Sequence, residues 1–146
     1  MPSIPFQFPF VSRYHCLLML SLILAGCSGK SDNLPELAEV TGQVTLDGNP
    51  LPDAIIDFYP QGTQQKKQSR ASTAATDGEG KYSLMYNNNT AGAILGDHLV
   101  RISKTEGGAE VAGPEMLPKK YNETSTLKAT VTKDGPNTIN FELTSK

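Results

Sequence analysis

Few side chains in this sequence are equipped for covalent chemistry, and the best placed of them is Cys27. It closes the stretch Leu24-Ala25-Gly26-Cys27, where an apolar run from Cys16 to Ala25, preceded by Arg13, gives way to Ser28, Gly29, Lys30, Ser31 and Asp32. A thiolate is the strongest nucleophile among the side chains. An apolar segment would deliver it to a membrane surface, where S-alkylation by a lipid donor is the chemistry open to it. Ala25 and Gly26 are small and leave the peptide bond before Cys27 accessible to a peptidase. The run is too short to span a bilayer, which takes about 20 apolar residues. Its small-residue end is that of a secretory signal peptide.

Cleavage before Cys27 would strip the chain of most other reactive groups. It removes Cys16 and His15, leaving His98 as the only histidine and no free thiol once Cys27 carries lipid. One histidine without a thiol cannot assemble a Cys/His zinc site. No Gly-x-Ser-x-Gly elbow is present to pair His98 with a nucleophile. Asp77 and Glu79 place two carboxylates in one loop, but a calcium loop needs a longer acidic run with a final Glu well downstream, so Asp77-Gly78-Glu79-Gly80 is read as a turn. Neither catalytic residues, nor a metal, nor a cofactor is expected.

The 120 residues that follow residue 26 suffice for one domain with its own core. Twelve of the 13 basic residues remain against all 15 acidic ones, a net charge of −3. That balance supplies no basic field for nucleic acid. The expected layout is a signal peptide over residues 1–26, a tether over 27–37 that is polar and turn-prone, and a domain over 38–146. The alternative readings of the N-terminus are an ordinary signal peptide with an incidental cysteine and a cytoplasmic protein with an apolar N-terminus.

Within the domain the hydrophobic pattern has a period of two. Val40, Val44 and Leu46 alternate with polar residues, with Gly42 leaving a gap on the inward side, and Asp47-Gly48-Asn49-Pro50 makes a turn. Ala54, Ile56 and Phe58 share a face up to Pro60, and a weaker strand runs from Ala71 to Thr76. Tyr82, Leu84 and Tyr86 follow the turn at Asp77 in what reads as a hairpin. His98, Val100 and Ile102 line the next strand, with His98 read as a hydrogen-bonded core position. Leu127, Ala129 and Val131, then Ile139, Phe141 and Leu143, complete the set. Phe58 and Phe141 are expected to meet in the core. Seven short strands without helical periodicity predict an all-β fold, a seven-stranded antiparallel Greek-key β-sandwich.

Two resemblances sharpen this reading. Leu24-Ala25-Gly26-Cys27 closely resembles the lipobox of bacterial lipoproteins, which implies a diacylglycerol on the Cys27 sulfur and cleavage before it. Val40-Thr41-Gly42-Gln43-Val44, Thr76-Asp77-Gly78-Glu79-Gly80-Lys81-Tyr82 and Gly96-Asp97-His98-Leu99-Val100-Arg101-Ile102 resemble the strands and turns of carboxypeptidase regulatory-like domains, with His98 where an aromatic residue is usual. That family implies a transthyretin-like sandwich. Together with Leu117-Pro118-Lys119-Lys120-Tyr121-Asn122, the chain resembles small lipoproteins of planctomycete-type bacteria, which implies location and fold but no activity.

Three functions come into question for such a chain. The first is a non-catalytic, lipid-anchored accessory or interaction module of the cell envelope, at the outer membrane or periplasmic face, with the membrane held through Cys27 and an envelope protein or glycan as partner. The second, a hydroxyisourate hydrolase, needs several histidines and a Tyr-Arg-Gly-Ser-type C-terminus, which this sequence lacks. The third is a carbohydrate-binding module; with no Trp in the chain, its platform would fall to Tyr59, Tyr86 or Tyr121. The stretch from Thr105 to Ser125 is the longest without periodicity, and such loops on a rigid fold often carry function. Leu117, Lys119, Lys120 and Tyr121 within it are the candidate partner contact. The alternative is that Leu117 and Tyr121 fold back over the end of the sandwich.

Overall fold

The computed structural model describes residues 34–62, 70–109 and 112–146. Cys27, the segment read as a signal peptide and most of the tether lie outside the described residues. So does most of the polar loop between Gln61 and Arg70.

Thirteen short strands are present among the described residues: β1 (Leu37–Ala38), β2 (Val40–Leu46), β3 (Asn49–Pro50), β4 (Ile55–Pro60), β5 (Ser72–Ala75), β6 (Lys81–Ser83), β7 (Met85–Asn87), β8 (Thr90–Ala91), β9 (Ala93–Ile94), β10 (Gly96–Ser103), β11 (Leu127–Val131), β12 (Asn137–Thr138) and β13 (Phe141–Leu143). They form a β-sandwich. The larger sheet has the order β11-β10-β4-β5-β7-β8, and the smaller is built on β2, flanked by β12 and β13 on one side and by β3 and β6 on the other. β4 pairs with its successor β5 and also, across five intervening strands, with β10, the non-local pairing of a Greek key. β1 and β9 make a separate two-stranded ribbon.

Each of the seven expected runs is strand, and the inward phases hold: Val40, Val44, Ala54, Ile56, Phe58, Tyr82, Leu84, Val100, Ile102, Val131, Phe141 and Leu143 are all core. Two runs are divided in ways that alternation does not reveal. β6 pairs with β2 in the small sheet, whereas β7 pairs with β5 in the large one, so the chain changes sheets at the fully buried Leu84. Because both inner faces look into one core, the alternation runs through the corner unbroken. For the same reason the turn at Asp77 is not a hairpin: β5 and β6 on either side of it belong to different sheets. The Asp77 carboxylate oxygen Oδ1 accepts from the backbone N–H groups of Glu79 and Lys81, both at 2.9 Å, and holds that corner closed.

The last run is also split, and its pairing with β2 is parallel, the one departure from antiparallel ladders. The chain leaves the large sheet at the end of β11, crosses through residues 132–136 and enters the small sheet at the same end as β2. Between β12 and β13 the ladder is interrupted. Ile139 N donates to Thr41 O at 2.8 Å, and the next rung is supplied by a side chain, Gln43 N donating to Asn140 Oδ1 at 2.9 Å.

The sheets are joined by a file of rings. Phe58 in the large sheet meets Phe141 in the small one edge-on, with centroids 6.2 Å apart. His98 packs on Phe58 at 5.6 Å, and Tyr82 stacks on Phe141 at 6.5 Å. Gly42 makes room for the last of these. A Cβ there would lie 1.8 Å from Ile139 O and 2.8 Å from the Tyr82 ring. The gap foreseen at Gly42 is thus filled by a neighbouring backbone and by the cross-strand tyrosine, whose hydroxyl donates to Ile139 O at 2.7 Å.

Truncating a buried Phe costs about 3–5 kcal/mol, a large share of the roughly 5–15 kcal/mol that holds a domain folded. Phe58→Ala is therefore expected to lower the denaturant midpoint of the full chain by a large fraction, since Phe58 touches both His98 and Phe141. An unchanged midpoint would remove Phe58 from the core.

Candidate functional site

The described parts of the long segment after β10 carry more hydrogen bonding than their lack of periodicity suggests. Thr105 and Glu115 form an isolated antiparallel bridge. The Glu115 carboxylate accepts from the backbone N–H groups of Lys104 and Leu117, each at 2.9 Å. Pro118 then leads into a single 3₁₀ turn at Lys119–Tyr121. Thr124 closes it, its N–H and hydroxyl both donating to Lys119 O at 2.9 and 3.0 Å, and the Ser125 hydroxyl ties the exit to Val100 O at 2.5 Å.

This turn divides the four candidate contact residues into two pairs. Leu117 and Tyr121 are 5% and 8% exposed and belong to the core. They cover the end of the sandwich and present no surface to a partner, which leaves Lys119 and Lys120, both exposed, as the candidate contact. Apolar side chains beside an open sandwich end gain more by burial than by waiting for a ligand. The Tyr121 hydroxyl accepts from Thr144 N at 2.9 Å. Burial works to raise this phenol, but its hydrogen bonds with Thr144 and Lys120 outweigh that and lower it. Lys119 pairs with Glu123 at 3.0 Å on the surface. Lys120 lies over the Tyr121 ring and donates to Thr144 Oγ1 at 3.2 Å and to Lys146 O.

His98 is 1% exposed, with Nδ1 3.0 Å from Gly96 O, which fixes the Nδ1–H tautomer as donor. It is a core histidine, packed against the Phe58 ring. Among the described residues no three His, Cys, Asp or Glu side chains gather as metal ligands would. Of the three tyrosines considered as sugar platforms, Tyr86 and Tyr121 are buried. Tyr59 is 36% exposed on the outer face of the large sheet, and the Arg101 guanidinium lies 5.1 Å from its ring centre.

A second surface feature lies on the small sheet. Where β2 meets β6 and the interrupted β12–β13 ladder there is a depression of 440 Å³ with a mostly apolar lining. Gly42 and Tyr82 line it between the side chains of Thr41, Gln43, Lys81, Thr138 and Asn140. None of these was a candidate from sequence. The available signal was Gly42 between outward-facing Thr41 and Gln43, together with an Asn interrupting the last strand.

No protein-family model matches the chain, and no curated protein matches it. Among solved structures it is similar to a DUF3823 family protein from Parabacteroides merdae, at 16% identity and a TM-score of 0.41, over 77% of this chain and 48% of that one. The chain thus spans about half the length of the structure it matches.

Burial holds the His98 imidazole below its ordinary value of 6.5, against the opposing Gly96 hydrogen bond and Asp97 charge. The folded state therefore binds this proton less readily than the unfolded chain. Its contribution to stability is full above the unfolded value and is lost as pH falls through it. Between about pH 7 and 5 the wild type should lose melting temperature, and His98→Phe should flatten that slope. An equal slope in both would place the titration elsewhere.

Proposed function

We propose that this chain is a bacterial lipoprotein whose β-sandwich, held to an envelope membrane through diacylglycerol on Cys27, serves as a non-catalytic accessory or interaction module. The observation that carries the reading is Leu24-Ala25-Gly26-Cys27 at the end of an apolar run and ahead of Ser28-Gly29-Lys30-Ser31-Asp32. Stable anchoring takes at least two acyl chains, which diacylglycerol supplies. Among the described residues no helix is long and apolar enough to cross a membrane. Ser28, rather than Asp, after the cysteine favours the outer membrane. The non-catalytic reading draws support from His98, whose imidazole is enclosed in the core.

Seven residues lead from Cys27 to Leu34, about 25 Å when fully extended. The chain then enters the sandwich at the end that carries the start of β10 and the residue 132–136 crossover, through a Glu36–Lys133 ion pair at 2.5 Å and the β1–β9 ribbon. Lys119 and Lys120 sit at the opposite end with Thr144 and Asp47. The two lysines, at the end opposite the entry of the chain, are the proposed contact for an envelope partner.

Labelled palmitate should enter the wild type and not Cys27→Ala. Equal labelling of both would end the lipoprotein reading. Lys119→Ala combined with Lys120→Ala should leave the melting temperature nearly unchanged, since exposed charges contribute little. The same double variant should lose crosslinks to a membrane protein that the wild type makes. Undiminished crosslinking would leave the turn a structural role alone.

A further inference from the structure

The depression over Gly42 is bordered by two amide side chains, each fastened to the backbone by one end only. Asn140 Oδ1 accepts from Gln43 N at 2.9 Å, and Gln43 Nε2 donates to Glu79 O at 2.8 Å. Because one partner is a backbone N–H and the other a carbonyl, these bonds also settle which way each amide points. What remains is a donor, Asn140 Nδ2, and an acceptor, Gln43 Oε1, neither with a hydrogen-bond partner among the described residues. Thr41 and Thr138, each with a hydroxyl, are also in the lining. The one cation at the border, Lys81, is already neutralised by Glu79 at 2.5 Å.

We propose that this depression binds a neutral sugar ring. A pyranose carries hydroxyls that each donate and accept, and an apolar C–H face. The depression offers the complement: a fixed donor and a fixed acceptor, two further hydroxyls, no net charge and a mostly apolar lining. Its 440 Å³ lies within the usual span for small-molecule sites. Holding each amide by its far end lowers the ordering cost of binding. With Glu79 and Lys81 paired to each other, the border offers no unpaired charge to an ionic ligand. The inference gives a ligand class to the non-catalytic module proposed above and does not depend on lipid at Cys27.

The test is a two-dimensional amide NMR titration of the full chain in detergent micelles with maltose, cellobiose and lactose, and separately with a doubly blocked alanine tripeptide. The expected result is that at least one disaccharide shifts the amides of Thr41, Gly42 and Gln43 while the tripeptide does not. Asn140→Asp keeps the oxygen that bonds Gln43 N but removes the donor. It should weaken sugar binding about tenfold, the scale of one hydrogen bond, with an unchanged melting temperature. Thr138→Val, nearly isosteric on an exposed strand position, should weaken it as well and serves if Asn140→Asp does not fold. Shifts with the tripeptide alone, shifts elsewhere on the domain, no shift with any sugar, or undiminished binding in the folded variants would each overturn the assignment.

Discussion

Phe141 reaches Phe58 across the sandwich only because the strand that carries it is fastened beside β2. That fastening rests on a crowded junction. Gly42 gives up its side chain, Tyr82 fills the space, the Tyr82 hydroxyl takes the Ile139 carbonyl, and Asn140 replaces the missing rung on Gln43. The buried phenol is pushed well above its ordinary range by desolvation, so it stays protonated and remains a donor. Both cysteines of the chain precede the described residues, and the two sheets are held together there by packing and hydrogen bonds alone. A single missing side chain in β2 therefore governs how the last strand docks and, through it, how the ring file closes.

Period-two alternation exposed the inward faces because a sandwich core demands the same of every strand wherever that strand pairs. It could not show pairing itself. Tyr82, Leu84 and Tyr86 read as one strand because all three point into one core, although the chain changes sheets among them. Ile139 to Leu143 read as one strand because the interruption at Asn140 is repaired by its own side chain, a bond between residues 97 positions apart. Parallel pairing of the first long strand with the last is likewise a property of the whole chain and of no segment in it.

The functional surface was less legible. Leu117, Lys119, Lys120 and Tyr121 form a compact cluster in sequence, yet one 3₁₀ turn buries two of them and exposes the others. His98 was placed on the inward face by its neighbours Val100 and Ile102, and its enclosure follows from that phase. The amides of Gln43 and Asn140 are ordinary in the sequence. They acquire direction only when the fold brings β2, β12 and the Asp77 corner to one place.

The β1–β9 ribbon gives the molecule a mechanical character. Tension on the chain ahead of Leu34 loads first two cross-strand pairs, Leu37 with Ile94 and Ala38 with Ala93, and the surface ion pair of Glu36 with Lys133. Behind them stands β2, an interior strand gripped from both sides by β3, β6, β12 and β13. The ribbon can peel open one pair at a time, whereas β2 would have to break its flanking ladders to leave. A tug thus opens the ribbon, and with it the packing of Ala38 on the core, before the ladders around β2 are loaded, and the ribbon can re-form when the tension is gone. The entry of the chain works as a resettable fuse.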